Sequence, residues 1–243
     1  VNSRANYGRI KSFLKHSKNY NSLDIKVIAG ASALLAKYGR VVDIIREDGF
    51  EVAAELDSIV EGDDPIHMAK STGLGIIETS TALKNLSPDA VLTIADRYET
   101  ISNAITSSYM NIPLIHIQGG EVSGSIDNKV RHAITKLSDI HFVSTEASRN
   151  RVIKMGEDPI KVFNTGCPSV DLARVVDCEN ENHYDLLSKY TDLGSNFSLQ
   201  KNYIVVLQHP DTMEYLDSES QIINTLNAVT SFNLPLVFFW PNI

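Results

Sequence analysis

Short apolar runs alternate along the chain with longer stretches in which apolar side chains recur every three or four residues. Short runs are typical of buried strands, and the longer period is typical of amphipathic helices. The runs predict strands at residues 25–29, 52–56, 90–95, 114–117, 140–143, 162–164, 203–207 and 236–239. The periodic stretches predict helices from residue 9 onward and at residues 31–48, 65–86, 98–109, 146–155 and 221–232. This alternation of strands and helices predicts an α/β fold with a parallel sheet.

A polar segment rich in Asn, Asp and Ser, residues 177–200, interrupts this alternation. It predicts a linker at residues 175–200 between an N-terminal domain, residues 1–174, and a second α/β domain that starts at residue 201. Residues 201–243 hold two predicted strands and one helix, too few to cover both faces of a sheet, so we expect this domain to be incomplete. Residues 1–8 resemble a loop that should follow a strand, so we expect the first strand to be truncated as well.

Composition narrows the class of protein. Of the 243 residues, 43% are hydrophobic and 21% are charged, which is ordinary for a soluble globular protein. The formal net charge of -8, without a cationic cluster, argues against a nucleic-acid partner. No apolar run approaches the roughly 20 residues of a membrane span, and no signal pattern is present, so we expect a cytoplasmic protein without a membrane partner. Cys167 and Cys178 lack the spacing of a zinc site or a disulfide framework, and we expect buried reduced thiols.

A glycine-rich loop after the strand at residues 114–117 carries two acids, Glu121 and Asp127. Ligands bind beyond the carboxyl ends of parallel strands, so we expect a site here, although both acids are also compatible with a solvated loop. The apolar residues expected to anchor the loop are Val122 and Ile126. Asp127 or Asn128 is the expected N-cap of the following helix.

Asp96 and Arg97 follow the strand at residues 90–95 and are therefore expected at the same edge of the sheet. The alternative interpretation is an N-cap aspartate beside a solvated arginine. Asp96, Glu121 and Asp127 together supply carboxylates for general acid and base chemistry, and the sequence leaves open which is acid and which is base.

Other residues carry weaker signals. Arg4 and Arg9 flank a predicted helix start, where an anion is favoured, but a surface arginine is the equal alternative. His209, in Gln-His-Pro, is a weak candidate by itself. The turn Gly-Cys-Pro-Ser at 166–169 opens a helix and presents free N–H groups, or it is a plain turn. We interpret His116 and His141 as core residues, leave His132 undecided, and interpret Gly73-Leu74-Gly75 as a helix-packing feature.

Several motifs, in order from end to end of the chain, resemble the hydrolysing UDP-N-acetylglucosamine 2-epimerases, a family that includes UDP-N,N'-diacetylbacillosamine 2-epimerases. They are Ser-Arg-Ala-Asn-Tyr-Gly (3–8), Ala-Asp-Arg-Tyr-Glu (95–99), His-Ile-Gln-Gly-Gly-Glu-Val-Ser-Gly-Ser-Ile-Asp (116–127), Arg-His-Ala-Ile-Thr-Lys (131–136), Gly-Cys-Pro-Ser (166–169), Gln-His-Pro (208–210) and Trp-Pro-Asn-Ile (240–243). The resemblance implies two Rossmann-like domains, as in GT-B glycosyltransferases, with a UDP-sugar between them.

The resemblance also implies a reaction in which UDP leaves a UDP-2-acetamido sugar, a 2-acetamidoglucal forms, and water adds with inversion at C2. Free N-acetylmannosamine or a relative is released for sialic or legionaminic acid synthesis, without a metal or redox cofactor. The family's Asp-Arg pair and loop aspartate fall on Asp96, Arg97 and Asp127. Its substrate-binding positions fall on a further set of residues: Arg4, Arg9, Ser169 and His209. A homo-oligomer, dimer or tetramer, is expected as well.

Two departures from the family pattern bear on these roles. Many relatives have a glutamate, a catalytic candidate, where this chain has Gln118, and an amide cannot act as a base. Either Glu121 takes over this duty, or the protein belongs to the branch acting on UDP-N,N'-diacetylbacillosamine. Asn6 stands where aspartate is usual. A GT-B glycosyltransferase and a non-catalytic nucleotide-sugar-binding protein remain alternatives. Because relatives continue well past residue 243, we expect this polypeptide to bind UDP weakly and to turn over slowly or not at all.

Overall fold

The protein consists of parallel strands connected by helices. The computed structural model describes residues 1–62, 64–124, 126–176, 201–210 and 214–239. Contacts divide the chain into two units, Val1–Val175 and Val176–Ile243. The strands of the first unit are β1 Val27–Gly30, β2 Val52–Leu56, β3 Val91–Ile94, β4 Leu114–Ile117, β5 Ile140–Val143 and β6 Val162–Asn164. Its helices are α1 Arg4–Ser17, α2 Val41–Glu47, α3 Pro65–Leu86, α4 Thr100–Tyr109, α5 Ile126–Leu137, α6 Glu146–Lys154 and α7 Pro168–Arg174. The second unit contains β7 Ile204–Val206, α8 Ser218–Thr230 and β8 Leu236–Phe238.

All described strand pairs are parallel, which confirms the predicted α/β fold class. In the first unit β1 pairs with β2, and β3, β4, β5 and β6 follow one another in a four-stranded sheet. In the second unit β7 pairs with β8. Ile94, the last residue of β3, lies opposite Ile117, the last residue of β4. The segments that leave these two strands therefore begin side by side.

Helices cover both faces of the four-stranded sheet. On α1, Tyr7, Ile10 and Leu14 are buried at helical spacing, in one cluster with Ile94 and Ile117. A second cluster contains Leu114 with Ala104 of α4 and Val130 and Ile134 of α5. Positions 114 and 117 point to opposite faces of β4, because successive side chains alternate. The sheet is thus buried on both sides, as parallel sheets generally are.

The predicted N-terminal loop is wrong, because α1 begins at Arg4 rather than near Arg9. Ser3 is the N-cap, and its Oγ accepts the backbone N–H of Asn6 at 3.2 Å. The capping serine satisfies one of the helix's free N–H groups, so the helix can start directly after it. Because α1 starts at Arg4, Arg4 lies in its first turn and Arg9 in its second.

The single helix predicted at residues 31–48 is also wrong. Two 3₁₀ turns, Ala31–Leu34 and Ala36–Tyr38, precede α2. Gly39 and Arg40 both have left-handed backbones, with φ of 80° and 40°, and two such residues cannot continue a right-handed helix. The linker predicted at residues 175–200 falls almost entirely on residues 177–200, which lie outside the described residues.

The two glycines of α3 have different surroundings. A Cβ on Gly75 would lie 2.6 Å from Ser102 Oγ on α4, whereas a Cβ on Gly73 would meet nothing within 4 Å. The packing interpretation is therefore confirmed for Gly75 and wrong for Gly73. Within the described part of the chain, no helix is both long and apolar enough to cross a membrane.

Candidate functional site

Asp96 lies just beyond the carboxyl end of β3. Ala95 has a left-handed backbone, with φ of 67°, and its N–H donates to the Ile117 carbonyl at 3.1 Å. The Asp96 side chain, only 13% exposed, forms an ion pair with Arg131 of α5. Asp96 is therefore not an N-cap, since the N-cap of α4 is Glu99.

Arg131 is the residue on which the surrounding loop depends, and the sequence analysis did not assign it a role. Its side chain is 4% exposed, and it donates to the Asp96 carboxylate, the Glu121 carbonyl at 2.7 Å, Asn128 Oδ1 at 2.9 Å and Ser123 Oγ at 3.0 Å. The planar guanidinium has enough donors to serve all four acceptors. One buried cation thus joins β3, the glycine-rich loop and α5.

Polar contacts hold the glycine-rich loop, together with the expected apolar anchor Ile126, which packs against the cluster around Leu114. The expected anchor Val122 is 61% exposed, so that prediction is wrong. Arg131 binds the loop at Glu121, and Arg151 of α6 donates to the Gly120 carbonyl. A Cβ on Gly120 would lie 2.5 Å from the Ser148 carbonyl oxygen, so only glycine fits this approach of the loop to α6.

The predicted N-cap at the start of α5 is wrong in detail. Helix α5 begins at Ile126, and Asp127 lies in its first turn. Asn128 Oδ1 accepts the Ser123 N–H at 2.7 Å and a bond from Arg131, so it closes the loop from inside the helix. The positive end of the helix dipole lies at the first turn and stabilises acidic side chains there, so it stabilises the charge of Asp127.

Arg97 is held in the site rather than solvated. Its guanidinium donates to both carboxylate oxygens of the buried Glu99, at 3.1 and 3.2 Å. Burial opposes the charge and would lower the pKa of Arg97, but the attraction of Glu99 outweighs it and raises that pKa, and Asp127 acts in the same direction. Asp127 therefore lies close enough to Arg97 to interact with it.

Gln118 connects the end of β4 to α1 and α7. It is buried, with a left-handed backbone at φ of 62°. Its Nε2 donates to Cys167 Sγ at 3.2 Å, and its Oε1 accepts from Arg9 Nη1 at 3.5 Å. Cys167 is a free thiol that is half-buried rather than buried, a small correction to the expectation for this cysteine.

The Gly-Cys-Pro-Ser turn reaches the same corner of the first unit. Cys167 is the N-cap of α7, and Ser169 is half-buried in its first turn. Helix α7 packs beside α1, where Ser12 Oγ donates to the Pro168 carbonyl at 3.3 Å. The turn therefore lies beside the candidate site and is more than a plain connecting turn.

The side chains of Arg4 and Glu121 form no hydrogen bond or ion pair with this group of described residues. Arg4 is exposed in the first turn of α1, and Glu121 contributes its carbonyl, whereas its carboxylate forms no ion pair with the described residues. His209 is exposed after β7 in the second unit. Its role remains a prediction.

The interpretation of His116 and His141 as core residues is confirmed. His116 is fully buried, and burial lowers its pKa to about 4. His141 lies 3.2 Å from the Glu157 carboxylate, and burial lowers its pKa despite this acid. His132, left undecided by the sequence, is half-buried, and its Nδ1 has no hydrogen-bond partner among the described residues.

Chemically, the carboxyl edge of β3 and β4 combines carboxylates with guanidinium groups. The cations favour an anionic ligand such as a phosphate, and the carboxylates can accept or donate protons. No group of three His, Cys, Asp or Glu side chains within the described ranges is arranged to hold a metal ion. This edge can therefore bind an anionic group and supply groups that accept or donate protons.

The fold is shared with solved nucleotide-sugar enzymes. Over its full length the chain superimposes on 64% of the Neisseria meningitidis UDP-GlcNAc 2-epimerase bound to UDP-GlcNAc, with a TM-score of 0.78 and 16% identity. Over 99% of its length it superimposes on 64% of the Methanocaldococcus jannaschii UDP-GlcNAc 2-epimerase in complex with UDP-GlcNAc and UDP, with a TM-score of 0.76 and 17% identity. At these identities the likeness establishes the fold.

The chain belongs to the UDP-N-acetylglucosamine 2-epimerase family, whose model matches residues 15–243. It is 31% identical over 240 residues to the hydrolysing UDP-N,N'-diacetylbacillosamine 2-epimerase of Legionella pneumophila, covering 99% of this chain and 62% of that protein. It is 33% identical over 231 residues to polysialic acid biosynthesis protein P7 of Escherichia coli, covering 95% of this chain and 57% of that protein. The chain therefore spans about three fifths of the length of these relatives, and the predicted resemblance is confirmed.

Proposed function

We propose that the whole protein containing this chain is a hydrolysing 2-epimerase of a UDP-2-acetamido sugar. A base removes the proton at C2 while the bond from C1 to the diphosphate oxygen breaks, which gives UDP and a 2-acetamidoglucal. Water then adds its hydroxyl at C1 and a proton at C2 from the opposite face. The product is free N-acetylmannosamine or its 2,4-diacetamido-6-deoxy analogue.

The observation that carries the proposal is the buried Asp96–Arg131 pair at the carboxyl end of β3, next to Arg97. Elimination requires a proton acceptor near C2 and cations near the departing diphosphate. Because Asp96 fixes Arg131, and Arg131 in turn binds the loop segment that carries the Glu121 carboxylate, an acceptor and the Arg97 cation are held in place without reorganisation during the reaction.

The carboxylates differ in how their charge is balanced. Protonation of Asp96 would leave the buried Arg131 cation without its counter-charge, whereas the Glu121 carboxylate has no ion pair among the described residues. We therefore infer that Glu121 is the better proton acceptor, that Asp96 orients Arg131 and stabilises developing positive charge, and that Asp127 assists near Arg97. Gln118 takes part through its amide.

The remaining predicted residues would bind the substrate. Arg9, which has no carboxylate at ion-pair distance within the described residues, would supply positive charge, and Arg97, Ser169, Arg4 and His209 are proposed to contact the substrate. Gln118 at the place of a glutamate favours UDP-N,N'-diacetylbacillosamine as the donor, and the Legionella relative bears that substrate in its name. A homo-oligomer in the cytoplasm, supplying sialic or legionaminic acid synthesis, completes the proposal.

The test measures UDP release by the full-length natural protein, offered UDP-N-acetylglucosamine and UDP-N,N'-diacetylbacillosamine in parallel. We expect release from one donor, and a loss of roughly 100-fold or more in kcat for Asp96→Asn and for Glu121→Gln. Asp43→Asn is the matched control, because Asp43 is an exposed carboxylate of α2 paired with Arg40. Binding of UDP without release from either donor would instead identify a nucleotide-sugar-binding protein.

A further inference from the structure

Buried His116 touches both segments that carry the Asp96–Arg131 pair. Its Nε2 lies 3.0 Å from the Ala95 carbonyl oxygen, directly before Asp96. Its Nδ1 lies 3.2 Å from Thr135 Oγ1, one helical turn after Arg131 on α5. Both His116 and Thr135 are fully buried, so no solvent competes for these bonds.

The partners of the ring determine its protonation. A carbonyl oxygen can only accept, so Nε2 must carry the proton, and Nδ1 of a neutral ring is then an acceptor to which the Thr135 hydroxyl can donate. Burial, which lowers the pKa of His116 to about 4, keeps the ring neutral at physiological pH. Thr135 Oγ1 also lies 3.0 Å from the Arg131 carbonyl, but that carbonyl faces the Thr135 N–H within the helix and does not depend on the hydroxyl.

The backbone around this pair is closely constrained. Ala95 has a left-handed backbone that a residue with a side chain rarely adopts, and such a conformation persists only where its surroundings enforce it. Gly119 lies against the bond itself, since a Cβ there would be 3.0 Å from both His116 Nδ1 and Thr135 Oγ1. The glycine leaves the space in which ring and hydroxyl meet.

We propose that His116 and Thr135 are positioning residues that hold the Ala95–Asp96 segment of β3 and the Arg131 turn of α5 at a fixed separation. The inference rests on the proposed function, because it assigns these residues to the geometry of the Asp96–Arg131 pair. Neither residue touches the substrate. Both act by keeping the carboxylate and the guanidinium where catalysis needs them, and a displacement of about 1 Å can cost on the order of 100-fold in rate.

The experiment compares kcat and KM of Thr135→Val and Thr135→Ser in the full-length protein. The valine variant is expected to lose roughly 10-fold or more in kcat, with KM changed by less than about 2-fold, and the serine variant to recover most of the rate. Thr79→Val is the control, because Thr79 is a buried threonine of α3 whose Oγ1 bonds Asn103 at 3.4 Å. It should lose stability without losing kcat. In an Asp96→Asn background, Thr135→Val should cause no further loss.

A measurement independent of activity is the tautomer of His116, from the ¹⁵N chemical shifts of its ring, assigned by comparison with His116→Gln. The proposal requires the neutral Nε2–H form with slow proton exchange, and an Nδ1–H tautomer would overturn it. An unchanged kcat in Thr135→Val, or an equal loss in the Asp96→Asn background, would overturn it as well. Absence of UDP release by the unaltered protein would refute the proposed function. The tautomer of His116 would then still test whether the His116–Thr135 hydrogen bond exists.

Discussion

Replacing Arg131 by methionine should destabilise the first unit more than any other change of a single surface or site arginine. The substitution keeps an unbranched side chain of similar reach but removes the ion pair with Asp96 and three further hydrogen bonds, to Glu121, Asn128 and Ser123. It leaves a largely buried carboxylate without its counter-charge. Breaking a buried ion pair in this way costs about 3–5 kcal/mol.

The matched control is Arg149→Met on α6. Arg149 is 32% exposed, pairs with Glu146 at 3.4 Å within the same helix and donates one further bond, from Nε to the Val162 carbonyl at 3.2 Å. Exposed pairs of this kind contribute about 0–1 kcal/mol. The two arginines therefore differ in burial and in the number of bonds, while the chemical change is identical.

Hydrogen exchange of the slowest amides in β4 and β5 reports the free energy of opening of the first unit directly. We expect Arg131→Met to lower it by about 3–5 kcal/mol and Arg149→Met, which loses one exposed ion pair and one hydrogen bond, by no more than about 2 kcal/mol. The double variant Asp96→Asn/Arg131→Met should be more stable than the sum of the single losses, since it leaves no orphan charge, with a coupling of about 1–3 kcal/mol. Equal losses in the two arginine variants would refute the argument that Arg131 organises the loop.

Other variants test separate parts of the molecule. Gly75→Ala should be less stable than Gly73→Ala by about 2 kcal/mol in urea unfolding, because both gain helix propensity but only the first meets a neighbouring helix. For His116, the folded-state pKa of about 4 lies below the unfolded value of 6.5, so the stability it supports is present above pH 6.5 and is lost as the pH falls toward 4. The loss is about 3 kcal/mol, and His116→Gln should flatten this part of the stability profile. Gln118→Glu should weaken UDP binding in calorimetry, because the new carboxylate would neutralise Arg9, whereas tighter binding would contradict this charge argument.

Local patterns were enough to predict most elements of the first unit. The apolar runs placed β3 and β4 to within a residue or two, and their parallel pairing then brings Asp96 and Gln118 to one edge. The failures have local causes as well. The N-cap bond from Asn6 to Ser3 starts α1 early, and consecutive left-handed residues at 39 and 40 break a stretch whose periodicity is helical.

Arg131 shows why the site itself was harder to predict. Its acceptors Asp96 and Glu121 stand 35 and 10 residues away along the chain, and no spacing rule links them to it. The only local signal was its place within a motif shared with the family. Arg131 joins β3, the glycine-rich loop and α5, and this role can be inferred only once the pairing of the strands is known.

The charge balance of the edge bears on how an amide at position 118 would suit the proposed diphosphate site. Arg131 is neutralised by Asp96, and Arg97 is neutralised by Glu99. Arg9 contacts the amide of Gln118, and no carboxylate within the described residues lies at ion-pair distance from it. A glutamate at this position would close a third pair, whereas the amide holds Arg9 by a hydrogen bond and leaves its charge available to an incoming anion. On the proposed function, we therefore infer that Gln118 serves substrate binding rather than proton transfer, and that Glu121, which forms no ion pair within the described residues, is the proton acceptor.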